Sequence, residues 1–380
     1  MKTPGCELRP YQLCNWCVMD TSDPEILFDT HGRCNHCKAA MHRMAAAVPR
    51  PEVAPLELEQ IVERIRKAGK GKPYDCVVGV SGGVDSTSVI RQASAAGLRM
   101  FPVHFDNGWN DARAADNIKR TLDKFRLDLY THVVDWEEFR DIQLSFLRAS
   151  LPNCEIPTDH GIFALLWSIA SKERIRYILT GSNLATESIM PAAWSYFDQD
   201  LRHLRAVHAA FGHVPIRTLP TISATEYLHG AFILGTRQIR FLDYVNYNRS
   251  EATKNLIADV GWTDYGSKHF ESIWTRFFQG YYLPNKFGFD KRRAHLSTLI
   301  CSGQTTRAEA LDRLQEPAYD EGLLLKDLRF VLKKFRLTEA EFAEIIRASP
   351  RKHSEFPRSR LLGNQFAPLR KAFRWIATHP

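Results

Sequence analysis

The run Ser81-Gly82-Gly83-Val84-Asp85-Ser86-Thr87 collects residue types that hold an anion. Glycines let the backbone close on a ligand, and Ser81, Ser86 and Thr87 add hydroxyl donors. A carboxylate in such a cradle repels phosphate unless a cation lies between, so Asp85 reads as a Mg²⁺ partner. Two further groups of residues have metal-ligand spacing. Cys14-Asn15-Trp16-Cys17 and Cys34-Asn35-His36-Cys37 are Cys-x-x-Cys pairs sixteen residues apart. Four thiolates in this spacing suit a tetrahedral zinc site with no open position, hence a structural one. Redox dithiols and an iron–sulfur cluster use the same residue types. His31 and His36 read as bystanders, and Cys6 belongs to neither pair.

Other polar runs extend the list. Thr158-Asp159-His160 follows Pro157 at the mouth of an expected helix, where it can cap the helix or face a ligand. Thr180-Gly181-Ser182-Asn183-Leu184-Ala185-Thr186-Glu187 follows an expected strand, as the first loop does. Gly181 and Asn183 there can approach phosphate or ribose, and Glu187 can hold a cation or an amine; turn chemistry alone also explains the glycine and asparagine. Lys268 is a candidate for neutralising phosphate charge. Lys291, Arg292 and Arg293 can bind phosphate or an acidic sugar, or form a solvated helix face.

These groups need elements to position them. Cys76–Val80 is a short β-branched run suited to an interior parallel strand, and Ser86–Ala96 reads as a helix. The turn between them therefore sits at a helix N-terminus, with free N–H groups and the positive end of the dipole. It lacks the Gly-x-x-x-x-Gly-Lys-Ser/Thr spacing of a Walker loop. Strands are expected again at Met100–Phe105, Leu129–Val134 and Tyr177–Thr180, with helices at Ala112–Phe125, Glu137–Ala149 and Gly161–Lys172. That alternation predicts an open parallel sheet, whose ligands bind beyond the carboxyl ends of the strands. His104–Asn110 lies at such an end, and Phe105 or Trp109 can stack on a base there or serve the core. Before the sheet, Ile26–Asp29 fits a strand, residues 39–55 a linker, and Leu56–Ala68 an amphipathic helix. Leu323–Phe335 and Glu339–Ile346 fit two more helices.

At 380 residues the chain suggests about two or three domains. No run approaches the roughly 18 apolar residues of a membrane span, and no secretory apolar region opens the chain, so a cytoplasmic location is expected. The net charge is +8, with much of the excess after residue 320, including Lys334, Arg336, Arg360, Arg370, Lys371 and Arg374. Such a region can meet nucleic acid, an acidic sugar nucleotide or an acidic protein, or be a solvated helical surface.

Ser-Gly-Gly-x-Asp-Ser after a strand resembles the pyrophosphate loop (PP-loop) of the ATP pyrophosphatases, where a substrate oxygen attacks the α-phosphate and pyrophosphate leaves. Along nearly its whole length the chain resembles the N-acetyl sugar amidotransferases of pseudaminic acid and lipopolysaccharide biosynthesis. The matching features are the paired Cys-x-x-Cys motifs, Ser81–Ser86, His104–Gly108, Ile156–His160, Thr180–Glu187, Gly266–Glu271, Phe277–Tyr281, Asp290–Arg293 and Ser302-Gly303-Gln304. The resemblance implies an α/β fold with a HUP-like parallel sheet. It divides the chain into a Cys₄ zinc ribbon over 1–48, a PP-loop ATP pyrophosphatase domain over 49–245, and a mostly helical region over 246–380 that contributes to the substrate site. It implies ATP, Mg²⁺ and structural Zn²⁺, with Ser81 to Thr87, Phe105, Asp106, Gly181 and Asn183 on the nucleotide. Asp85, Asp159 and Lys268 would be catalytic. Thr158, His160, Glu187, Lys291, Arg292 and Arg293 would meet an acidic or nucleotide-linked N-acetyl sugar. Ammonia would come from a separate glutaminase of the histidine-biosynthesis type, with or without a barrel partner; neither a membrane nor a nucleic-acid partner is expected. A tRNA-thiolating enzyme with a zinc ribbon is the alternative, though the catalytic region offers only the scattered Cys76, Cys154 and Cys301.

Overall fold

The computed structural model describes residues 10–266 and 268–359, so Cys6, Ser267, Arg360, Arg370, Lys371 and Arg374 lie outside the described residues. β1 (Cys76–Gly79) occupies the centre of a parallel sheet completed by β2 (Met100–Asp106), β3 (Tyr130–Val133), β4 (Tyr177–Thr180) and β5 (Arg237–Arg240), in the order β3-β2-β1-β4-β5. The chain leaves β1 outward through β2 and β3, then crosses back to β4 on the other side. The loops after β1 and β4 therefore leave the sheet side by side at its switch point, where open parallel sheets bind ligands. Alternation along β1 feeds two cores. Val77 packs with Val103, Phe105 and Ile178 on one face, while Cys76 and Val78 pack with Met100, Leu179 and Ile239 on the other.

Helices α1 (Asn35–Ala47), α2 (Ala54–Ala68), α3 (Val84–Ala95), α4 (Ala112–Phe125), α5 (Trp136–Arg148) and α6 (Ile156–Lys172) precede β4. After it come α7 (Leu184–Glu187), α8 (Leu201–Phe211), α9 (Ala224–Phe232), α10 (Arg249–Val260), α11 (Ile273–Phe277), α12 (Leu283–Phe287) and α13 (Lys291–Cys301). The series ends with α14 (Arg307–Gln315), α15 (Glu321–Phe335) and α16 (Glu339–Arg347). A π-helical turn, Phe278–Tyr282, joins α11 to α12. Among the described residues no helix is long and apolar enough to cross a membrane.

This mixed α/β architecture is the one the sequence pattern implies, with three local differences. β5 is not apparent in the sequence, because Arg237-Gln238-Ile239-Arg240 buries only Ile239 and pairs at the sheet edge. The strand expected at Ile26–Asp29 reduces to a single bridge, Phe28 to Cys34, because the second cysteine pair opens a helix rather than closing a hairpin. Cys34 caps that helix through Cys37 N–H, and α1 continues through the alanine-rich residues 39–47 that read as linker. The third difference bears on the site. α6 starts at Ile156, with proline in its first turn, so Thr158, Asp159 and His160 are helical rather than part of a preceding loop.

Candidate active site

The turn after β1 is built for close approach. Gly82 has φ +79°, and a Cβ there would lie 2.6 Å from the Ala114 carbonyl oxygen of α4. Its own carbonyl accepts hydrogen bonds from Trp262 Nε1 (3.0 Å) and the Tyr265 hydroxyl (3.1 Å), which fix the peptide plane. Ser81 and Ser86 face each other at 3.0 Å between Oγ atoms, and Gly83 N–H donates to Ser81 Oγ at 3.3 Å. Gly83 then opens α3 without a side-chain cap, so the first N–H groups of the helix have no intrahelical partner. From β4, Gly181 lies against this turn so tightly that a Cβ would sit 2.9 Å from Ser86 N. The two loops expected to act together do meet, over the N-terminus of α3.

Asp85 stands in the first turn of α3 and connects the cradle to residues far along the chain. Its carboxylate accepts from the Tyr247 hydroxyl and from Lys268 Nζ at 3.1 Å. Lys268 also reaches Glu187 Oε1 (2.9 Å) and Thr186 Oγ1 (2.8 Å). Burial alone would push the Asp85 carboxyl up, but Lys268, Tyr247 and Arg249 outweigh it and hold the group below its ordinary value. Burial likewise acts to lower Lys268, and Asp85 and Glu187 reverse the effect, so the pair is ionised through neutral pH. Both Asp85 oxygens are thereby engaged. Each oxygen has one partner in the protein, Tyr247 on Oδ1 and Lys268 on Oδ2, and the carboxylate keeps lone pairs with which it can also meet a cation.

Beyond Glu187 the cleft becomes acidic. Asp159, one helical turn after Glu155 on α6, is exposed to solvent and has Glu155, Asp198, Glu187 and Lys291 as its charged neighbours. Burial, then the neighbouring Glu155, Asp198 and Glu187, raise its carboxyl well above the ordinary range, while Lys291 opposes them. Glu155 is buried, accepts from Thr275 Oγ1 at 3.0 Å and is also raised by burial. Lys291 begins α13 and is buried, with Glu155, Asp159 and Glu187 as its charged neighbours. His269, at φ +64°, places Nε2 3.7 Å from Glu187 and Nδ1 3.8 Å from Glu271. Its ring lies 5.6 Å from that of His295, which burial and the nearby cations hold well below its ordinary value.

Several expected contacts are not available. Trp109 is fully buried with Nε1 on Gln143 (2.7 Å), and Phe105 is packed between His132 and Phe139, so neither has a face free for a base. Asp106 closes its own turn by accepting from Gly108 N–H at 2.9 Å. Asn183 caps α7 through Thr186 N–H (2.9 Å) and donates to the Gly181 carbonyl (3.0 Å). His160 is spent on the backbone, with Nδ1 on the Asp198 carbonyl (2.8 Å) and Nε2 accepting from Ile222 N–H (3.3 Å). Arg292 forks onto Asp290 and the Glu316 carbonyl, and Arg293 pairs with Asp20 at 3.0 Å. Thr158 does lie at the cleft, accepting from Asn107 Nδ2 at 3.3 Å. Of the basic triplet only Lys291 joins it.

Glu155, Tyr247, Arg249, His269, Glu271 and His295 have no assigned role in the sequence reading. For Glu155 a signal existed, since its four-residue spacing from Asp159 puts both carboxylates on one helix face. The contact of Tyr247 with Asp85 spans 162 residues and leaves no local trace.

The four cysteines converge behind α13. All are fully buried, and their sulfurs lie within 4.8 Å of one another, at 4.0 Å for Cys14–Cys37 and 3.5 Å for Cys17–Cys34. Tetrahedral zinc with about 2.3 Å bonds needs sulfurs about 3.8 Å apart, so the donor set fits such an ion. Backbone N–H groups of Trp16, Cys17 and Cys34 point at Cys14 Sγ, at 3.2–3.4 Å, as thiolate ligands require. The knuckles dock through Arg307, which donates to the Cys14 and Cys17 carbonyls, and through Ser297, which receives Val18 N–H at 3.1 Å.

Residues 271–370 match the family model described as the C-terminal domain of WbpG-like lipopolysaccharide (LPS) biosynthesis proteins. The matched stretch includes Glu271, Lys291 and His295 of the site. No curated protein matches the chain. Among solved structures, NMN synthetase from Francisella tularensis aligns over 54% of this chain and 95% of its own, at 13% identity and a TM-score of 0.29. The NH3-dependent NAD synthetase from Campylobacter jejuni subsp. jejuni NCTC 11168 aligns over 74% and 94%, also at 13% identity and 0.29.

Proposed function

We propose that this protein is an ATP-dependent amidotransferase of surface-glycan biosynthesis, making LPS O-antigen or nonulosonic acid sugars, that converts a sugar acetamido group into an acetamidino group. The observation that carries the reading is the ion-pair chain in which Lys268 links Asp85 of the β1 loop to Glu187 of the β4 loop. At one end is the 81–87 anion cradle on the central strand, and at the other are Glu155, Asp159 and Glu187 around Lys291, the member of that group that lies in the stretch matched by the WbpG-like model. An amide oxygen leaves poorly, so the reaction needs it converted to a better leaving group. The amide oxygen attacks the α-phosphorus of ATP, the bond to pyrophosphate breaks, and AMP is left on the oxygen. Ammonia then adds to the imidate carbon and the C–O bond to AMP breaks. The cradle N–H groups and hydroxyls together with Lys268 stabilise the departing phosphates, and Thr158 and Glu187 line the acceptor side.

Nitrogen reaches the cleft as ammonia from a separate glutaminase of the histidine-biosynthesis type, with or without a barrel partner. Zinc on the four cysteines has a folding role. A sulfur-transfer reading would need a thiol in the cleft. Among the described residues, Cys76 and Cys154 are fully buried with burial pushing both thiols up, and Cys301 points to the Cys37 carbonyl.

The test is incubation with ATP, Mg²⁺, ammonium and nucleotide-linked diacetamido sugars. Replacement of one acceptor oxygen by NH, matched by AMP and pyrophosphate, is the expected result by mass spectrometry. ATP cleavage that leaves every acceptor unchanged while sulfur enters RNA would replace this reading with the thiolation one.

A further inference from the structure

The acidic end of the cleft is unsuited to phosphate, and phosphate binding leaves it unused. Glu155 and Asp159 project from one face of the first turns of α6, and Glu187 closes a third side. Into this group reaches Lys291, 9% exposed, with no hydrogen-bond or ion-pair partner among the described residues. Its Nζ lies 5.6 Å from the Phe278 ring centroid on the apolar side. Glu187 is already paired with Lys268, so Glu155 and Asp159 face Lys291 as two carboxylates against one ammonium, and the surplus negative charge recruits a small cation and repels an anion. A lysine in their midst disfavours a hard divalent cation. Ammonium suits the place, since its N–H bonds match carboxylate acceptors and it exchanges protons with an amine.

We propose that Glu155, Asp159 and Lys291 form the ammonia subsite of the cleft, where ammonium is captured and stripped of one proton; this rests on the amidotransferase reading above. The carboxylates hold NH₄⁺ while Lys291, as the neutral amine, takes a proton from it. The nitrogen lone pair then forms the C–N bond to the imidate carbon. The new nitrogen sheds a proton to the Asp159 carboxylate, and the C–O bond to AMP breaks with its electron pair going to the phosphate. Burial moves all three groups toward their neutral forms, Lys291 downward and the two acids upward, which brings their proton affinities closer together.

Two measurements test this on the full-length, zinc-loaded protein. The first is thermal stability in ammonium chloride against sodium chloride at equal ionic strength. A rise specific to ammonium, absent in Asp159→Asn and Glu155→Gln, supports the subsite; equal curves for the two salts in wild type overturn it. The second is the rate of amidination against ammonium concentration and pH for wild type and Lys291→Arg, which keeps the charge but cannot act as a base. Loss on the order of a hundredfold in kcat/KM for ammonium is expected, with the pH profile displaced to that of free ammonium. An unchanged profile in Lys291→Arg overturns the proton transfer. If wild type shows the ammonium-specific rise yet amidinates none of the acceptors, the subsite is supported and the sugar reading fails.

Discussion

Lys268 is the residue on which the candidate site turns, since it ties Asp85 of the β1 loop to Glu187 of the β4 loop. The side chains of Lys268 and Asp85 are 9% and 16% exposed, so their pairing is a largely buried one. Lys268→Met leaves Asp85 unpaired, and breaking such a pair costs about 3–5 kcal/mol. Turnover in Lys268→Met and in Ser81→Ala is expected to fall on the order of a hundredfold. Pyrophosphate release at the wild-type rate in both variants would show that the cradle does not hold phosphate. Asp159 makes the opposite trade. Its carboxyl is raised in the fold, so the folded state binds the proton more tightly than the unfolded chain. Stability therefore falls as pH rises from the unfolded value of about 4 through the raised one. Asp159→Asn is expected to raise Tm at neutral pH and flatten that slope while losing activity; a lower Tm at neutral pH would contradict it.

At the scale of elements, the cysteine knuckles and α13 are coupled. Ser297 and Arg293 of α13 hold Val18 and Asp20, and Lys291 and His295 of the same helix face the cleft. Loss of the metal should therefore be felt in the site. Cys17→Ser is expected to lower bound zinc and to weaken acceptor use more than ATP binding, because the cradle stands on β1 and α3 instead. Protein purified without chelator and free of zinc by elemental analysis would refute the metal assignment. A second pair of elements has its own pH response. His203 of α8 and His353 meet at 3.0 Å, buried, and burial lowers them to about 4 and about 3. Both stay neutral in the fold, whereas the unfolded chain gains protons below about pH 6.5. Stability is then full above that pH and lost as pH falls toward the folded values, by on the order of a few kcal/mol in all. Unfolding melts across this range should show the slope, and His353→Gln should reduce it.

For the whole molecule, the cleft draws on residues from α3, α6, α7 and α13, and on Tyr247, Lys268 and His269 between helices. The proposed reaction needs a shielded imidate, because water would return it to the amide and waste ATP. We expect the purified chain to use ammonium and to fail with glutamine, and a glutaminase partner to restore glutamine use. The comparison is amidination with each donor at equal nitrogen, and glutamine use by the single chain would remove the need for a partner. Part of the basic C-terminal charge is already committed within the chain. Arg336 pairs with Glu137 at 2.5 Å, and Lys334 lies 4.1 Å over the Trp136 ring.

The sequence by itself determined whatever depends on neighbours in the chain. β1, the glycine turn and α3 were legible because a β-branched run, two glycines and a helical period lie consecutively. The cysteine pairs were legible from spacing, and α4 was legible to its ends because its apolar face is strongly periodic. Burial and long-range pairing were decided only by the tertiary structure. Aromatic residues at a strand end look alike whether they stack on a base or fill a core, and packing sent Phe105 and Trp109 to the core. Three consecutive cations look alike too, yet helix geometry turns Lys291, Arg292 and Arg293 to different partners. The union of Asp85, Lys268 and Tyr247, and of Glu155, Asp159 and Lys291, came from distant segments meeting at a sheet switch point. Charge balance there depends on distances that no local pattern encodes.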